Sequence, residues 1–405
     1  MFKIGSIGAG GRGRLCENAH RPDQGFELAA ICDPNPRVIA DYRQRYGDQL
    51  RVARTYQELL DQDDLDIVFI TTPDYLHEEQ AVAALERGKV VYLEKPMAIT
   101  IAGCDRILAA AQRHGAGLYV GHNMRFFPVI QKMKQWIDEG RIGEVQAIWC
   151  RHFIDYGGDA YFKDWHSEQR YATGLLLQKG AHDIDVIHYL AGSYTQRTVG
   201  MGKLSVYNQV QDRRRPDEAG SARFVQSHWP PLKQKKLSPI IDVEDHTMML
   251  MQLANGIQAS YCQCHYTPDS MRNYTIIGTE GRIENDGDFS HETNWASVRL
   301  WNRRCGPASR QGTLVEAVPP IQGSHGGADP QIIDDFLAFA QTGQRTGATP
   351  LDARMSVAAG YQATLSLRQG NQPLDVPPPS AGLATWSGLG PSRRPEEHQR
   401  QSPNH

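Results

Sequence analysis

A short strand-like run, Lys3-Ile4-Gly5-Ser6-Ile7, turns directly into Gly8-Ala9-Gly10-Gly11-Arg12-Gly13. This G-x-G-x-x-G spacing constrains the fold more than any other feature of the chain. The first glycine permits a tight turn, the second lets backbone approach a pyrophosphate, and the third lets helix and strand pack closely. In a chain with 38 glycines the pattern alone is weak, and its surroundings strengthen it. A helix-compatible stretch, Arg14 to His20, follows, and the start of such a helix offers unpaired N–H groups to phosphate. A second strand, Glu27 to Cys32, ends in Asp33, about 20 residues on, where a ribose-binding acid belongs. A carboxylate there accepts from ribose hydroxyls and repels a 2′-phosphate, so Asp33 favours NAD over NADP. Arg37 is the neighbouring feature that would suit NADP.

At 405 residues the chain is too long for one ordinary core and predicts two domains plus extras. A formal charge of -3 argues against nucleic acid as the main partner. No apolar run approaches the roughly 18 residues of a membrane span, and no signal peptide precedes the first strand. Seven scattered cysteines suit a reducing cytoplasm. Cys262-x-Cys264-His265 resembles a metal fragment, but two cysteines at strand spacing with no second ligand pair nearby fit a packed strand better, and no metal is expected.

The first 120 or so residues alternate between strand and helix patterns, the signature of an α/β parallel sheet with crossovers. Strands are predicted over Leu65 to Thr71, Val90 to Leu93 and Leu118 to Val120, with helices over Glu78 to Arg87 and Thr100 to His114. Beyond Gly121 a helix (Val129 to Glu139), a strand (Gly143 to Phe153) and a helix (Gly180 to Ala191) precede strand patterns from about Thr198 to Leu300, which suggest an antiparallel sheet. Helices are expected over Asp329 to Ala340 and Pro350 to Gln369. Gln209 to Leu237 is polar and basic, and reads as a solvated loop, or else as a lid or subunit-contact arm. Residues 371–405, rich in Pro, Ser and Arg, are expected to be a loosely ordered tail.

Glu94-Lys95-Pro96 stands at the carboxyl end of a predicted parallel strand, the edge where ligands bind in open α/β sheets. A lysine there can hydrogen-bond a substrate hydroxyl, or simply be a surface residue. Together with Thr72-Pro73, His77, Asp33-Pro34-Asn35, Gly121-His122-Asn123, Arg125-Phe126 and Gly180-x-His182-x-x-Asp185, the chain resembles the Gfo/Idh/MocA oxidoreductases over about residues 1–370. The resemblance implies an N-terminal Rossmann domain (1–122) that binds NAD. It also implies a C-terminal α+β domain (123–370) with a large, mostly antiparallel sheet, often used to form homodimers or homotetramers. Gly8, Ala9, Gly10, Gly11, Arg12, Gly13, Asp33, Thr72, Pro73, His77, Glu94 and Lys95 would then meet the cofactor. Lys95 and His182 carry over as catalytic residues. Where the family often has an acid four residues before the histidine, this chain has Gln178, followed by Lys179. Gln178 cannot take a proton; Asp185, one helical turn after His182, either orients the imidazole or packs the helix.

A second concentration, His152, Tyr156, Tyr161, Trp165 and His166, offers apolar faces and hydrogen bonds of the kind a sugar needs, or packs a loop on the sheet. Asn123, Arg125, Gln178, Lys179, Asp185 and His265 complete the candidate substrate contacts, with His325 a weaker one. The function expected is an NAD-dependent dehydrogenase of a sugar, sugar derivative or cyclitol. The alternatives are a redox-neutral NAD-dependent glycosidase, which oxidises C3, eliminates the aglycone, adds water and returns the hydride, and a non-catalytic NAD-binding regulator.

Overall fold

The computed structural model describes residues 1–218, 229–288, 290, 294–307 and 309–384. Six parallel strands form the first sheet: β1 (Phe2–Ile7), β2 (Phe26–Cys32), β3 (Arg51–Ala53), β4 (Ile67–Ile70), β5 (Val90–Leu93) and β6 (Leu118–Val120). Their order, β3-β2-β1-β4-β5-β6, reverses direction between β1 and β4 and so opens a crevice at their carboxyl ends. The strands are short because turn chemistry cuts them off. β4 is shorter than the predicted Leu65 to Thr71, for Thr71 already turns to bond the Gly8 carbonyl and Pro73 follows. The helix Ile101–His114 begins where Thr100 accepts from the Gly103 N–H and ends at Gly115 in the left-handed region.

After Gly10 the chain enters a 3-10 helix, Gly11–Ala19. Its start packs closely against the preceding turn. A Cβ on Gly13 would stand 2.0 Å from the Gly8 carbonyl oxygen.

The second sheet has nine strands. They are β7 (Val145–Phe153), β8 (Thr195–Lys203), β9 (His246–Leu253), β10 (Gln258–Cys264), β11 (Met271–Gly278), β12 (Arg282–Asp286), β13 (Ser297–Trp301), β14 (Leu314–Ala317) and β15 (Leu374–Asp375). The order is β14-β13-β12-β11-β7-β10-β9-β8-β15, antiparallel except for the central pair β7 and β10, which run parallel in register from Gln258 opposite Ala147 to Cys264 opposite Phe153. The helix Gly180–Ala191, capped at Gly192, lies against this central pair and carries His182.

One expectation, the loosely ordered tail, is corrected over its first residues. The helix Ala328–Thr342, within the range expected for the second domain, packs on the first sheet: Phe336 sits 5.2 Å from the rings of Phe69 and Tyr92 and 5.5 Å from Tyr119. Three adjacent strands present an aromatic face that has to be covered, and this helix covers it. The tail is held over its first part. Leu374 pairs with Thr198 at the edge of the second sheet, the buried Arg354 guanidinium donates to the Pro377 and Pro378 carbonyls, and Leu383 is buried against the first domain. Residues 385–405 lie outside the described residues. The basic loop is likewise tethered. Arg213 donates to the carbonyls of Tyr207, Val210 and Ser238, and Leu237 is buried beside Tyr161 and Phe162; residues 219–228 of the loop lie outside the described residues.

Gly13→Ala is expected to cost about 1–3 kcal/mol through overpacking against Gly8, read as a lowered unfolding midpoint with NAD binding lost in parallel.

Candidate active site

The carboxyl ends of β1, β4 and β5 feed three loops into one cavity of about 500 Å³. Gly11 and Arg12 come from the first loop, Thr72, Pro73, Asp74 and His77 from the second, and Glu94 and Lys95 from the third. The opposite wall belongs to the second domain: Tyr161, Trp165, His166, Gln178, Lys179 and His182. The sequence motifs, scattered over some 170 positions, therefore meet at the crevice of the first sheet.

The glycine-rich loop suits a dinucleotide. Gly11 has φ +52 and nothing within 4 Å of where a Cβ would stand, so the loop is open on that side. Gly11 and Arg12 begin the 3-10 helix, where N–H groups have no intrahelical partner. Asp33 is engaged locally as well. Oδ2 accepts from the Ala9 and Gly10 N–H groups at 2.9 and 3.1 Å, and Oδ1 from Asn35 at 2.8 Å. The acid expected to read a ribose thus also fixes the loop that would hold the phosphates.

Arg12 and Glu94, expected at the cofactor, are bonded to each other at 2.6 Å, and Arg12 reaches Asp329 at 2.6 Å. Burial would lower the guanidinium, but these carboxylates hold it well above its ordinary value. His325 bonds the same Asp329 at 2.7 Å and, with Asn123, brings the C-terminal segment to the cavity rim. His77 clamps two loops together, with Nε2 on the Thr72 carbonyl (2.9 Å) and Nδ1 on the Pro96 carbonyl (2.8 Å).

At the reaction end the cavity holds two amines and an imidazole. Burial pushes the Lys95 ammonium down to about 8, against the upward pull of Asp74. Lys179 is pushed down to about 7 by burial and by Arg272. Its ammonium faces the rings of Tyr161 (5.7 Å) and Tyr156 (5.9 Å). His182 is held well below its ordinary value by burial and by Lys95 and Lys179, so its ring is neutral at physiological pH. Its Nδ1 is buried without a hydrogen-bond partner. Beside these groups Trp165 stacks on His166 at 3.6 Å, and His166 bonds Asp164.

A second lobe of about 260 Å³ shares Asn123, Lys179, His182 and His325 with the first and extends to His152, Tyr156, Arg272 and Asp288. Its foundation is Asp183. This carboxylate, on His182's own helix, is fully buried and contacts Arg272 (3.0 Å), His152 (3.2 Å) and the Tyr274 hydroxyl. Burial would raise it, but Arg272 and His152 hold it well below the carboxylate range. His152, within the strand predicted over Gly143 to Phe153, lies on β7 and is pushed to about 3 by burial and Arg272.

Three substrate candidates lie away from both lobes. Arg125 and Asp185 form a buried bidentate pair (2.8 and 2.7 Å), backed by Asp352 at 3.4 Å. Asp185 is thereby committed to Arg125 and does not orient His182. Along a helix, positions three apart share a face only approximately, and here that face meets Arg125 first. His265 is fully buried behind Tyr161, ring centroids 4.9 Å apart, as the burial alternation along β10 continues; Cys262 and Cys264 point to the other face. Asp74, Asp183 and Arg272 were not anticipated. Asp74 had a signal, since it follows Thr72-Pro73 at a strand's carboxyl end; Arg272, mid-strand on β11, had none in its local sequence.

Arg125→Ala strands Asp185 without a counter-ion and is expected to cost about 3–5 kcal/mol in denaturant unfolding. Asp33→Ala is expected to weaken NAD binding by roughly ten- to hundred-fold, about 1.5–3 kcal/mol, and to narrow the gap to NADP. Isothermal titration with both dinucleotides measures it; unchanged NAD affinity would remove Asp33 from the ribose.

Comparison with known proteins agrees with this geometry. Residues 2–122 match the NAD-binding Rossmann fold of an oxidoreductase family, and residues 134–376 match the C-terminal alpha/beta domain of the same family. Levoglucosan dehydrogenase of Pseudarthrobacter phenanthrenivorans is 26% identical over 384 residues, covering 90% of this chain and 94% of that one. Inositol 2-dehydrogenase of Salmonella typhimurium is 30% identical over 192 residues, 46% of this chain and 52% of its own. A 2,7-anhydro-N-acetylneuraminate hydratase of Mediterraneibacter gnavus is 26% identical over 282 residues, 64% and 67% of the two chains. Among solved structures, levoglucosan dehydrogenase in complex with NADH and L-sorbose shares the fold at a TM-score of 0.72 and 22% identity, over 94% of this chain and 100% of that one. With an NAD-binding Rossmann domain followed by the family's second domain, the chain belongs to the Gfo/Idh/MocA oxidoreductase family.

Proposed function

We propose that this protein is an NAD-dependent dehydrogenase acting on a hydroxyl of a sugar, sugar derivative or cyclitol. One observation carries the assignment: the glycine-rich loop, Lys95 and His182, contributed by two domains, line a single cavity. We divide the work between residues 1–122, which hold the cofactor, and 123–370, which hold the substrate. NAD, when bound, supplies the hydride acceptor. The Lys95 ammonium donates to the reacting hydroxyl oxygen and stabilises the negative charge that develops there. The neutral imidazole of His182 takes the proton. Tyr161 and Trp165 offer apolar faces to a polyhydroxylated ring, and Gln178 and Lys179 offer hydrogen bonds to its hydroxyls. Two relatives are named for polyol rings of this class, levoglucosan and inositol. Asp33 favours NAD over NADP, while Arg37 is exposed nearby.

The outer face of the second sheet exposes Trp149, Met201, Met248 and Leu250, each about half or more exposed. We assign this apolar face to contact between copies of the chain. Cys16, Cys32, Cys104, Cys150, Cys262 and Cys264 are free thiols, a feature that fits a cytoplasmic enzyme; no described helix is long and apolar enough to cross a membrane.

A second reading, redox-neutral glycoside cleavage, has its own support. That chemistry must move a proton at C2 besides the hydroxyl proton, and Lys179, at about 7 and shared by both lobes, is an additional base for it. The hydratase relative is compatible with such non-redox outcomes.

Lys95→Ala is expected to leave NAD affinity nearly intact and to lower turnover by at least about a hundred-fold; a stability loss with normal activity per folded molecule would make Lys95 structural. Incubation with a panel of sugars and glycosides separates the two readings. NADH accumulating in step with product is the expected result. Aglycone release without lasting NADH, with deuterium entering C2 from deuterated water, would favour the glycosidase.

A further inference from the structure

Two lysines and two arginines border the two lobes, and carboxylates answer only the arginines. Arg12 lies between Glu94 and Asp329, and Arg272 between Asp183 (3.0 Å) and Asp288 (3.4 Å). The Lys95 and Lys179 ammonium groups have neither an ion pair nor a hydrogen bond among the described residues. The reacting hydroxyl of a dehydrogenase substrate answers Lys95. Lys179 is left over. It stands where the lobes join, lining both beside His182, with its ammonium 5.9 Å from the Tyr156 ring and 5.7 Å from the Tyr161 ring. Ring faces hold a cation more weakly than a carboxylate does. Lys179 also immediately precedes the helix Gly180–Ala191, and its side chain makes no capping bond there. The unpaired N–H groups of a helix start carry partial positive charge, so a cation is at the unfavourable end and an anion at the favourable one.

We propose that the second lobe, through Lys179, receives a carboxylate borne by the substrate, which makes the substrate class an acidic sugar, a uronate or aldonate, rather than a neutral one. The proposal deepens, and rests on, the dehydrogenase reading of the cavity. A carboxylate bonded to the Lys179 ammonium supplies the missing counter-charge and lies at the favourable end of the helix. A hydroxyl there would fill one donor and leave the charge unanswered. The balance of charge favours a monoanion. Arg272 is already matched by two carboxylates, and Asp288, which lines the same lobe, repels a second negative charge such as a phosphate would bring. His152, in the same lobe, is neutral and adds no cation. Because His182 and Lys179 line both lobes, one sugar ring can present its hydroxyl to Lys95 and His182 in the first and its carboxylate to Lys179 in the second. Lys179, lowered to about 7 by burial and Arg272, is drawn back to its ammonium form by the incoming anion. Held so, it is not the second base that glycoside cleavage would need.

The test is a calorimetric titration of the full-length, NAD-loaded protein with D-glucuronate, D-galacturonate and D-gluconate, each beside its uncharged counterpart (D-glucose, D-galactose and D-glucitol), and with D-glucose 6-phosphate. The expected result is a carboxylate bound at least about tenfold more tightly than its counterpart, with Lys179→Met weakening it by roughly ten- to hundred-fold and the counterpart by less than about threefold. Lys179→Gln serves if Lys179→Met fails to accumulate. The pH series adds a second readout. The unpaired amine loses its proton above about 7, so carboxylate affinity is full below that pH and falls by up to about tenfold per pH unit above it. In Lys179→Arg, whose guanidinium stays charged, the affinity is expected to stay flat over the same range. Carboxylates bound no more tightly than the uncharged sugars, an equal loss of both in the Lys179 variant, or the phosphate bound more tightly than every carboxylate each overturns the proposal. Calorimetry reads the lobe whether or not hydride moves, so carboxylate binding without NADH formation counts against the dehydrogenase reading alone.

Discussion

The Arg12 guanidinium lies between Glu94 and Asp329, 2.6 Å from a carboxylate oxygen of each, and the rest of the site is arranged around that contact. Arg12 belongs to the glycine-rich loop, Glu94 to the loop that carries Lys95, and Asp329 to the first turn of the helix that covers the aromatic face of the first sheet. One cation therefore couples the loop that receives a dinucleotide, the lysine loop and the return of the chain from the second domain. Because all three groups are largely buried, losing any member would leave an uncompensated charge in a poorly solvated place. Two members of the contact, Arg12 and Glu94, also line the cavity.

Inside that frame the cavity concentrates cations. Lys95, Lys179 and Arg272 face a neutral His182, and each is desolvated. Carboxylates are distributed among them: Asp183 contacts Arg272, and Asp74 lines the same cavity as Lys95. Burial lowers both amines, Lys95 to about 8 and Lys179 to about 7. Clamping is done elsewhere, by His77 between the loops after β4 and β5 and by the Arg125–Asp185 pair behind the helix of His182.

Much of this was legible in the amino-acid order because local rules govern it. G-x-G-x-x-G is a steric requirement, visible in Gly13 lying against the Gly8 carbonyl. The helix ends at Gly115 and Gly192 follow from left-handed caps, and the motifs at Thr72-Pro73 and Glu94-Lys95-Pro96 follow from where parallel strands stop. The parallel pairing of β7 with β10, the helix Ala328–Thr342 on the first sheet and the docking of the chain through Leu383 were not legible. Each depends on which apolar face is left uncovered once other elements have packed, a property of the assembled molecule rather than of any segment.

The same division holds for the site. The sequence by itself determined an α/β dinucleotide-binding domain, the strand-end positions of Lys95 and Asp33, and a histidine on a capped helix, because spacing and turn chemistry act over a few residues. Tertiary structure decided which charges meet. It drew Asp185 to Arg125, buried His265 behind Tyr161, set Asp183 against Arg272 and left Asp74 Oδ2 buried at the cavity without a hydrogen-bond partner. Electrostatic partnership and desolvation depend on distances between residues far apart in the chain, and those distances exist only once both sheets and the helices between them have packed.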